Sequence, residues 1–485
     1  MSRYTAIPRV IEQTRPHAHE CVRPGHANSR ARIQKQTIVI YTAGTLGDHW
    51  PFMALGQALT ARGYQVRMAV NPAIHTLVQR VGLEAVSLPE PRMGPEQVRQ
   101  YAHAWDHWEK TGDSEASEAI ATLFRAYGVE RNLPLVRALL SLCQDADLLL
   151  ATSIRPWGWV VHQALGVPWL SISVVPAQFG TPLSDHPSRT HDWEAAKRLF
   201  HHHVQDWLRQ VLLRLAPTLM PSCAHGPLWS DELLLASSLH FSPASGTVSP
   251  THAVTVHSTG FWFYDDPAWC NWEPAPALRR FVERRPLVLS FSSLPVVNPS
   301  EVLTVHVQAA AMLGRPLLVQ AGWARFSAAL LPGHLRTADV MFADFLPHDW
   351  LFAQAACAIQ HGGIGSIARA LRQGCPLLIE PYGNDQFFNA MRVIELEVGA
   401  AMHPGKLTAE GIARVLAEKV LSPVYRRRAE AIGANIRLES GLEVACQHID
   451  RIVRSSRPCT QPLLPGGVTH HHVRPGDVHT ALECQ

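Results

Sequence analysis

Three short clusters in this sequence place hydrogen-bonding or titratable side chains among glycines. The first, "HGGIGS", runs from His361 to Ser366. It follows the apolar run "CAIQ" and opens "GSIARALRQG", whose spacing is helical and which stops at Gly374. A strand-to-helix turn of this kind lets a ligand approach the backbone and offers unpaired N–H groups at the positive end of a helix dipole. Phosphate suits such a place best, and His361 and Ser366 can add donors. A tight turn that simply needs glycine is the plainer explanation of the same residues. The second cluster, Asp385 and Gln386, stands at the end of the next apolar run, "PLLIEP". A carboxylate accepts from hydroxyls and a carboxamide donates and accepts, which suits a polyol. Capping of the following helix by Asn384 or Asp385 is the alternative. A phosphate cradle beside a hydroxyl reader suggests a nucleotide-sugar. The third cluster, "AGTLGDHWP", puts Asp48 and His49 in a loop just before Pro51, where either could take a proton.

Two alternating series position these clusters. "TIVIYT" (37–42) reads as a buried strand, followed by a helix expected to open at Pro51 and close at Gly63. "YQVRMAV", "AIHTLVQRVG", "AVSLP", "ADLLLATS", "GWVVHQALG" and "VPWLSISVV" continue the alternation. Residues 181–240 read as more helical and irregular, and 243–285 as a Pro- and Trp-rich connection. A second series begins at "RPLVLSFSS" and runs through a helix at 299–314, "PLLVQAG", "VMFADF", "HDWLFAQA", "CAIQ" and a helix at 408–421. Buried strands alternating with helices make parallel sheets covered on both faces. The expected architecture is therefore α/β, with two Rossmann-like halves and ligands at the carboxyl ends of the strands, in the cleft between them. The expected boundaries are an extension at 1–35, a first domain at 36–245, a connection at 246–284, a second domain at 285–440, a helix at 441–457 and a tail at 458–485.

Composition narrows the class. A chain of 485 residues is long for one core, which favours two domains. Apolar residues at 47% and charged residues at 17% fit a globular enzyme, and a net charge of +3 without a dense basic run gives no nucleic-acid surface. Nine cysteines without a CxxC pair, no visible secretory signal and no long apolar span suggest a reducing, cytoplasmic setting. The runs His201–His203 and His470–His472 lack accompanying ligand spacing and are read as solvated histidines. Ten tryptophans from Trp50 to Trp262 (Trp50, Trp105, Trp108, Trp157, Trp159, Trp169, Trp193, Trp207, Trp229, Trp262) read mostly as core, with a few available to line an apolar acceptor pocket.

The segment from His361 to Val393 resembles the donor-binding signature of nucleotide-sugar glycosyltransferases of the two-domain GT-B fold. "AGTLGDHWPFMALGQALTARGYQV", "STGFWFYDD", "LVLSFSS" and "FLPHDWLF" resemble further motifs of that family, in the same order, so the likeness covers roughly residues 37–455. Among its members, the bacterial macrolide, sterol and rhamnosyl transferases look most similar, and "HGGIGS" with "NDQFFNAMRV" looks like the rhamnolipid rhamnosyltransferases. The resemblance implies diphosphate contacts at His361, Gly363, Gly365, Ser366 and Ser293, nucleobase contacts at Phe345 and His348, and sugar contacts at Asp385 and Gln386. The chain departs from the family at Ser292, where glycine is usual, at Phe345, where plant relatives have tryptophan, and at Gln360, where many bacterial relatives have histidine.

The chemistry implied is inverting transfer of a hexose, or a deoxyhexose such as rhamnose, from a UDP- or dTDP-sugar to a hydroxyl of an apolar lipid, polyketide or other secondary metabolite. Such transfer needs a stabilised leaving diphosphate, tolerance of oxocarbenium character and a base. A helix terminus can serve the leaving group, so no cofactor and no metal is required. Asp48 is the expected base and His49 the alternative; Asp48 could also cap the helix expected at Pro51. The expected partners are a nucleotide-sugar and an apolar acceptor, without nucleic acid; peripheral membrane contact stays open, as does the choice between monomer and homodimer. An epimerase of the same fold and a non-catalytic glycosyltransferase helper are the competing classes. The helper should lose the phosphate turn, which this chain keeps. A dinucleotide oxidoreductase is disfavoured, because residues 37–60 hold no strand-coupled GxGxxG.

Overall fold

The computed structural model describes residues 35–44, 46–89, 129–153, 155, 157–176, 209–211, 213–215, 229–242, 254–294, 296, 298–382 and 385–455. Residues from Gln36 onward belong to one compact unit. Outside the described residues lie the expected extension and tail, both histidine runs, Asn384 and four of the tryptophans (Trp105, Trp108, Trp193 and Trp207).

The first sheet is built from β1 (Thr37–Tyr41), β2 (Gln65–Val70), β3 (Glu84–Ser87), β4 (Leu148–Thr152), β5 (Trp169–Ser173), β6 (Glu232–Leu235) and β7 (Thr255–Ser258). Its order is β3-β2-β1-β4-β5-β6-β7, all parallel. Helices α1 (Leu46–Ala61), α2 (Pro72–Arg80), α3 (Val129–Leu142) and α4 (Trp157–Leu165) belong to this half. Successive strand residues point to opposite faces. Val39, Tyr41 and Leu149 therefore join one core with α3 and α4, while Ile38, Ile40 and Leu150 join another with α1 and α2. The described tryptophans of this half are core residues: Trp157, Trp159, Trp169 and Trp229 pack on the first face and Trp50 and Trp262 on the second.

The second half opens with α5 (Pro276–Val282), followed by β8 (Leu287–Ser290), α6 (Pro299–Met312), β9 (Leu317–Gln320), β10 (Val340–Ala343), α7 (His348–Gln354), β11 (Cys357–Gln360), α8 (Ile364–Arg372), β12 (Leu377–Ile379), α9 (Gln386–Glu395), β13 (Gly399–Ala401), α10 (Ala409–Val415) and α11 (Pro423–Leu438). Its sheet order, β10-β9-β8-β11-β12-β13, repeats the winding of the first. In each sheet the order reverses between the first strand and its fourth-numbered neighbour, β1/β4 and β8/β11, which is where such folds bind ligands. The closing helix, α12 (Gly441–Ser455), returns to the first half: Ala445, Cys446, Ile449 and Val453 enter the core around Phe52, and Tyr64 donates to Asp450 at 2.7 Å.

Three expectations are corrected. Helix α1 begins at Leu46, so Pro51 lies inside it and gives no N–H to the Gly47 carbonyl one turn earlier. Asp48 accordingly sits in the first helical turn and is not a cap at Pro51. The first domain extends beyond 245, because β7 completes its sheet; "TVHS" is a short edge strand with a histidine on it and gave little signal. Inside the stretch read as helical, Glu232–Leu235 is β6. The connection is correspondingly shorter, since Val282 of α5 already packs into the second core.

Among the described residues no helix is long and apolar enough to cross a membrane. Cys143, Cys357, Cys375 and Cys446 are free and buried, and Cys270 is free and exposed.

Candidate functional site

The carboxyl ends of β8, β11 and β12 carry most of the polar side chains singled out from the sequence. After β11 the chain turns through His361, Gly362 and Gly363 into α8. Gly362 has φ +96°, and a Cβ there would fall 2.8 Å from Ile379, so this bend needs glycine. Gly365 differs: it is exposed, and no heavy atom lies within 4 Å of where its Cβ would stand, so neighbouring protein does not demand a glycine there. The Ser366 and Ile367 N–H groups donate to the Gly363 carbonyl at 3.1 Å each, so within the first turn of α8 an anion would meet the N–H groups of Ile364 and Gly365. His361 is buried with its ring edge against Phe291, and burial lowers its pKa to about 4. The ring is neutral at pH 7, and its Nδ1 has no hydrogen-bond partner among the described residues.

The loop after β8 closes on the same turn. Ser292 takes φ +47°, the left-handed region that glycine usually occupies, and its Oγ lies 3.2 Å from Ser366 Oγ. The departure from glycine at this position therefore keeps the backbone shape and adds a hydroxyl. Ser293 follows, half-buried. Ser293 is the serine expected from the resemblance, and Ser292 is the one whose hydroxyl meets Ser366 of the glycine turn.

Beyond β12, Asp385 and Gln386 enter α9. Gln386 Oε1 accepts from the Tyr382 N–H at 2.7 Å, which fixes the approach of the loop. Asp385 is the last residue before α9, and its Oδ2 accepts from Asn389 Nδ2 at 2.8 Å. Removal from bulk water, reinforced by the negative charge of Asp48, raises the Asp385 pKa to about 7. Asp48 belongs to the first domain, so its charge acts on Asp385 across the domain interface, where α1 also touches α8.

Asp48 and His49 occupy successive positions in the first turn of α1 but different surroundings. Asp48 is half-buried, and its carboxylate folds over Gly44, where a Cβ would fall 2.3 Å from Oδ2. Gly44 also has φ +117°. His49 is fully buried, and burial lowers its pKa to about 4. Its ring lies near the Gly44 backbone, yet neither nitrogen makes a well-formed hydrogen bond among the described residues.

Of the expected nucleobase pair, Phe345 precedes α7 and His348 opens it. Phe345 is 54% exposed and packs against Trp269 at 5.6 Å. His348 Nε2 lies 3.1 Å from Gln320 Oε1, which also accepts from Ser290 Oγ at 2.5 Å. Burial, reinforced by the positive charge of Arg369, lowers the His348 pKa to about 4, so one nitrogen of this neutral ring stays an acceptor. Gln320 and Ser290 were not singled out from the sequence; each ends a strand, as the residues at such a site do. Gln360, at the end of β11, is fully buried with both side-chain polar atoms unpartnered among the described residues. Behind the turn, His306 Nε2 and Glu380 Oε1 pair at 2.7 Å without solvent exposure, and burial and its partner act in opposite directions on His306 with a net rise in its pKa.

One group among the described residues has metal-ligand character: Glu232, His257 and His448 each bring a ligand atom within 4.8 Å of the others. It joins β6, β7 and α12, away from the phosphate turn. Arg451 donates to His448 Nδ1 at 2.5 Å, which puts a positive charge where a cation would have to come.

Comparison with known proteins agrees with this geometry. Residues 38–177 match the glycosyltransferase family 28 N-terminal domain, and residues 321–449 match the erythromycin biosynthesis protein CIII-like C-terminal domain. A sterol 3-beta-glucosyltransferase of Pichia angusta is 24% identical over 91% of this chain, which spans 35% of that protein's length. An O-mycaminosyltylonolide 6-deoxyallosyltransferase of Streptomyces fradiae is 28% identical over 85% of this chain and 96% of its own. A solved calicheamicin glycosyltransferase superposes with a TM-score of 0.63 at 18% identity, covering 88% of this chain and all of that one. The glycosyltransferase VinC, solved with dTDP, superposes with a TM-score of 0.58 at 18% identity, covering 87% of this chain and all of its own.

Proposed function

Because the chain belongs to the family 1-type glycosyltransferases of GT-B fold, we propose that it transfers a sugar, with inversion, from a UDP- or dTDP-sugar to a hydroxyl of an apolar small molecule. The observation that carries this reading is the glycine turn before α8, to which Asn389 ties Asp385 through bonds of 2.9 Å to the Gly362 carbonyl and 2.8 Å to the carboxylate. The diphosphate lies on the N-terminus of α8, with His361, Ser292, Ser293 and Ser366 as donors. Asp385 and Gln386 hold the sugar hydroxyls. Phe345 and His348 meet the base. Asp48 takes the proton of the acceptor hydroxyl as it attacks, and the α8 dipole with its N–H groups bears the charge that grows on the leaving diphosphate. The burial of His49 argues for Asp48 as base, since a group that abstracts a proton must reach the acceptor.

The relatives act on sterols and a macrolide lactone by name, which supports a bulky apolar acceptor. Hexose or deoxyhexose, rhamnose included, fits the polyol-reading pair equally. Neither the turn nor the base calls for a metal, so transfer is expected to survive EDTA.

The test is a thermal-shift panel of UDP- and dTDP-sugars, followed by mass spectrometry of products from sterol, macrolide and hydroxy-lipid acceptors. Stabilisation by one sugar nucleotide and a product heavier by one sugar are expected. Interconversion of the donor without any acceptor overturns the reading in favour of an epimerase. Binding of no nucleotide overturns it in favour of a helper protein. Complete loss on chelation, restored by one divalent ion, overturns the metal-free mechanism.

A further inference from the structure

One amide joins the sugar reader to the phosphate turn. Asn389 stands on α9 one helical turn after Asp385 and is fully buried. Its Nδ2 donates to Asp385 Oδ2 at 2.8 Å and to the Gly362 carbonyl at 2.9 Å. Two bonds use both hydrogens of the amide group. Its Oδ1 is buried as well and has no partner among the described residues. A leucine of similar size would fill this space without burying an unmatched oxygen, so packing alone does not account for an asparagine here. The two acceptors belong to different loops, one after β11 and one after β12, and the Gly362 end is the sharp left-handed bend of the turn.

On the donor-binding reading above, we propose that Asn389 is a positioning residue for glycosyl transfer. It fixes the Asp385 carboxylate and the phosphate turn in one geometry, so that the sugar and its leaving diphosphate stay in register. The same bond bears on charge. Burial and Asp48 of α1 both oppose ionisation of Asp385, and Asn389 is the side chain that favours the carboxylate. The other titratable group of the turn, His361, is neutral at pH 7. Without the amide, Asp385 should hold its proton to higher pH.

The experiment is a double-mutant cycle with Asn389→Leu and Asp385→Asn, read as kcat/KM for UDP-glucose or dTDP-glucose between pH 5.5 and 9, whichever donor the enzyme turns over. Residues in one hydrogen-bonded network couple, so Asn389→Leu should cost about tenfold in wild type but less than about threefold in the Asp385→Asn background. The acid limb should move to higher pH in Asn389→Leu, and the affinity for bare UDP or dTDP should fall less than that for the sugar nucleotide. Additive losses with an unmoved acid limb overturn the proposal and leave Asn389 a packing residue. If melting shows Asn389→Leu unfolded, Asn389→Ser, which keeps one donor, goes through the same cycle and the same criteria decide. A wild-type protein that neither binds UDP or dTDP nor transfers a sugar defeats the functional reading instead, a result distinguishable from failure of Asn389 alone.

Discussion

The two sides of the interface are held in different ways. On the donor side, four polar groups are each fastened by a hydrogen bond: Gln386 to the Tyr382 N–H, Asp385 to Asn389, Ser366 to Ser292, His348 to Gln320. On the opposite side, Asp48 and His49 both ride on the first turn of α1, and Gly44 is the neighbour that shapes their loop. A site that must recognise one ligand repeatedly gains from pre-organised contacts. On the proposed mechanism Asp48 acts as the base from a single helical turn. The comparison teaches that binding and chemistry should separate in variants of the two sides.

The largest effect is expected at Asp48. Asp48→Asn keeps size and helix preference but cannot take a proton, and removal of a general base costs on the order of 10²–10⁴ in rate. Its kcat should collapse while donor affinity stays within about twofold of wild type and melting is unchanged. A variant retaining more than about a tenth of kcat, with His49→Ala inactive, would exchange the two roles. Next comes His361→Ala on the donor side. Hydrogen bonds to a charged group are worth about 1.5–3 kcal/mol, so donor affinity should fall by roughly one to two decades with a smaller change in kcat. Isothermal titration with the preferred nucleotide checks this, and affinity within about twofold of wild type removes His361 from the diphosphate site. Gly44→Ala should behave like a weaker Asp48 variant, because its Cβ would fall 2.3 Å from the carboxylate and its φ of +117° disfavours any side chain. Loss of kcat with unchanged donor binding is expected; a change in donor affinity alone would blur the division between the sides.

The smallest effect is on stability against pH, and it runs in two directions. His49, His348 and His361 have folded pKa values lowered to about 4, below the ordinary value of 6.5. The unfolded chain binds more protons than the folded one between those values, so stability is lost as pH falls from 6.5 towards 4. Asp385 is raised to about 7 from 3.8, so the folded state keeps a proton that the unfolded state releases, and stability falls as pH rises from 3.8 to about 7. Melting temperatures of wild type and Asp385→Asn across pH 5–8 separate the two. The variant should gain relative to wild type at the alkaline end, and parallel curves would show that Asp385 titrates normally.

Much of the geometry around the candidate donor residues was legible because it is written in consecutive residues. "HGGIGS" encodes a bend, a helix start and two donors, and "DQ" follows the next strand. Partners that act from a distance were not legible. Gln320 reaches His348 and Ser290 reaches Gln320, each from another strand, and Ser292 was passed over because its conformation, not its side-chain type, makes it resemble glycine. Asn389 could have been found, since it lies one turn from Asp385 and spacing by four residues places side chains on one helix face. On the opposite side Pro51 misled: proline favours a first turn, and here that preference gave way to a helix already begun at Leu46. The edge strand at Thr255–Ser258 was hidden because four half-exposed residues carry little periodicity.

The return of α12 to the first domain has a consequence for anyone who would take the molecule apart. Its residues Ala445, Cys446, Ile449 and Val453 complete a core begun by Phe52 and Leu55, and an ion pair from Arg62 to Glu443 binds the same helix from outside. A gene fragment ending near Ser258 would encode every strand of the first sheet yet leave that apolar face bare. A working chimera must therefore be cut twice, with residues 441–455 travelling alongside the first half they cover rather than with the second half they follow in the chain.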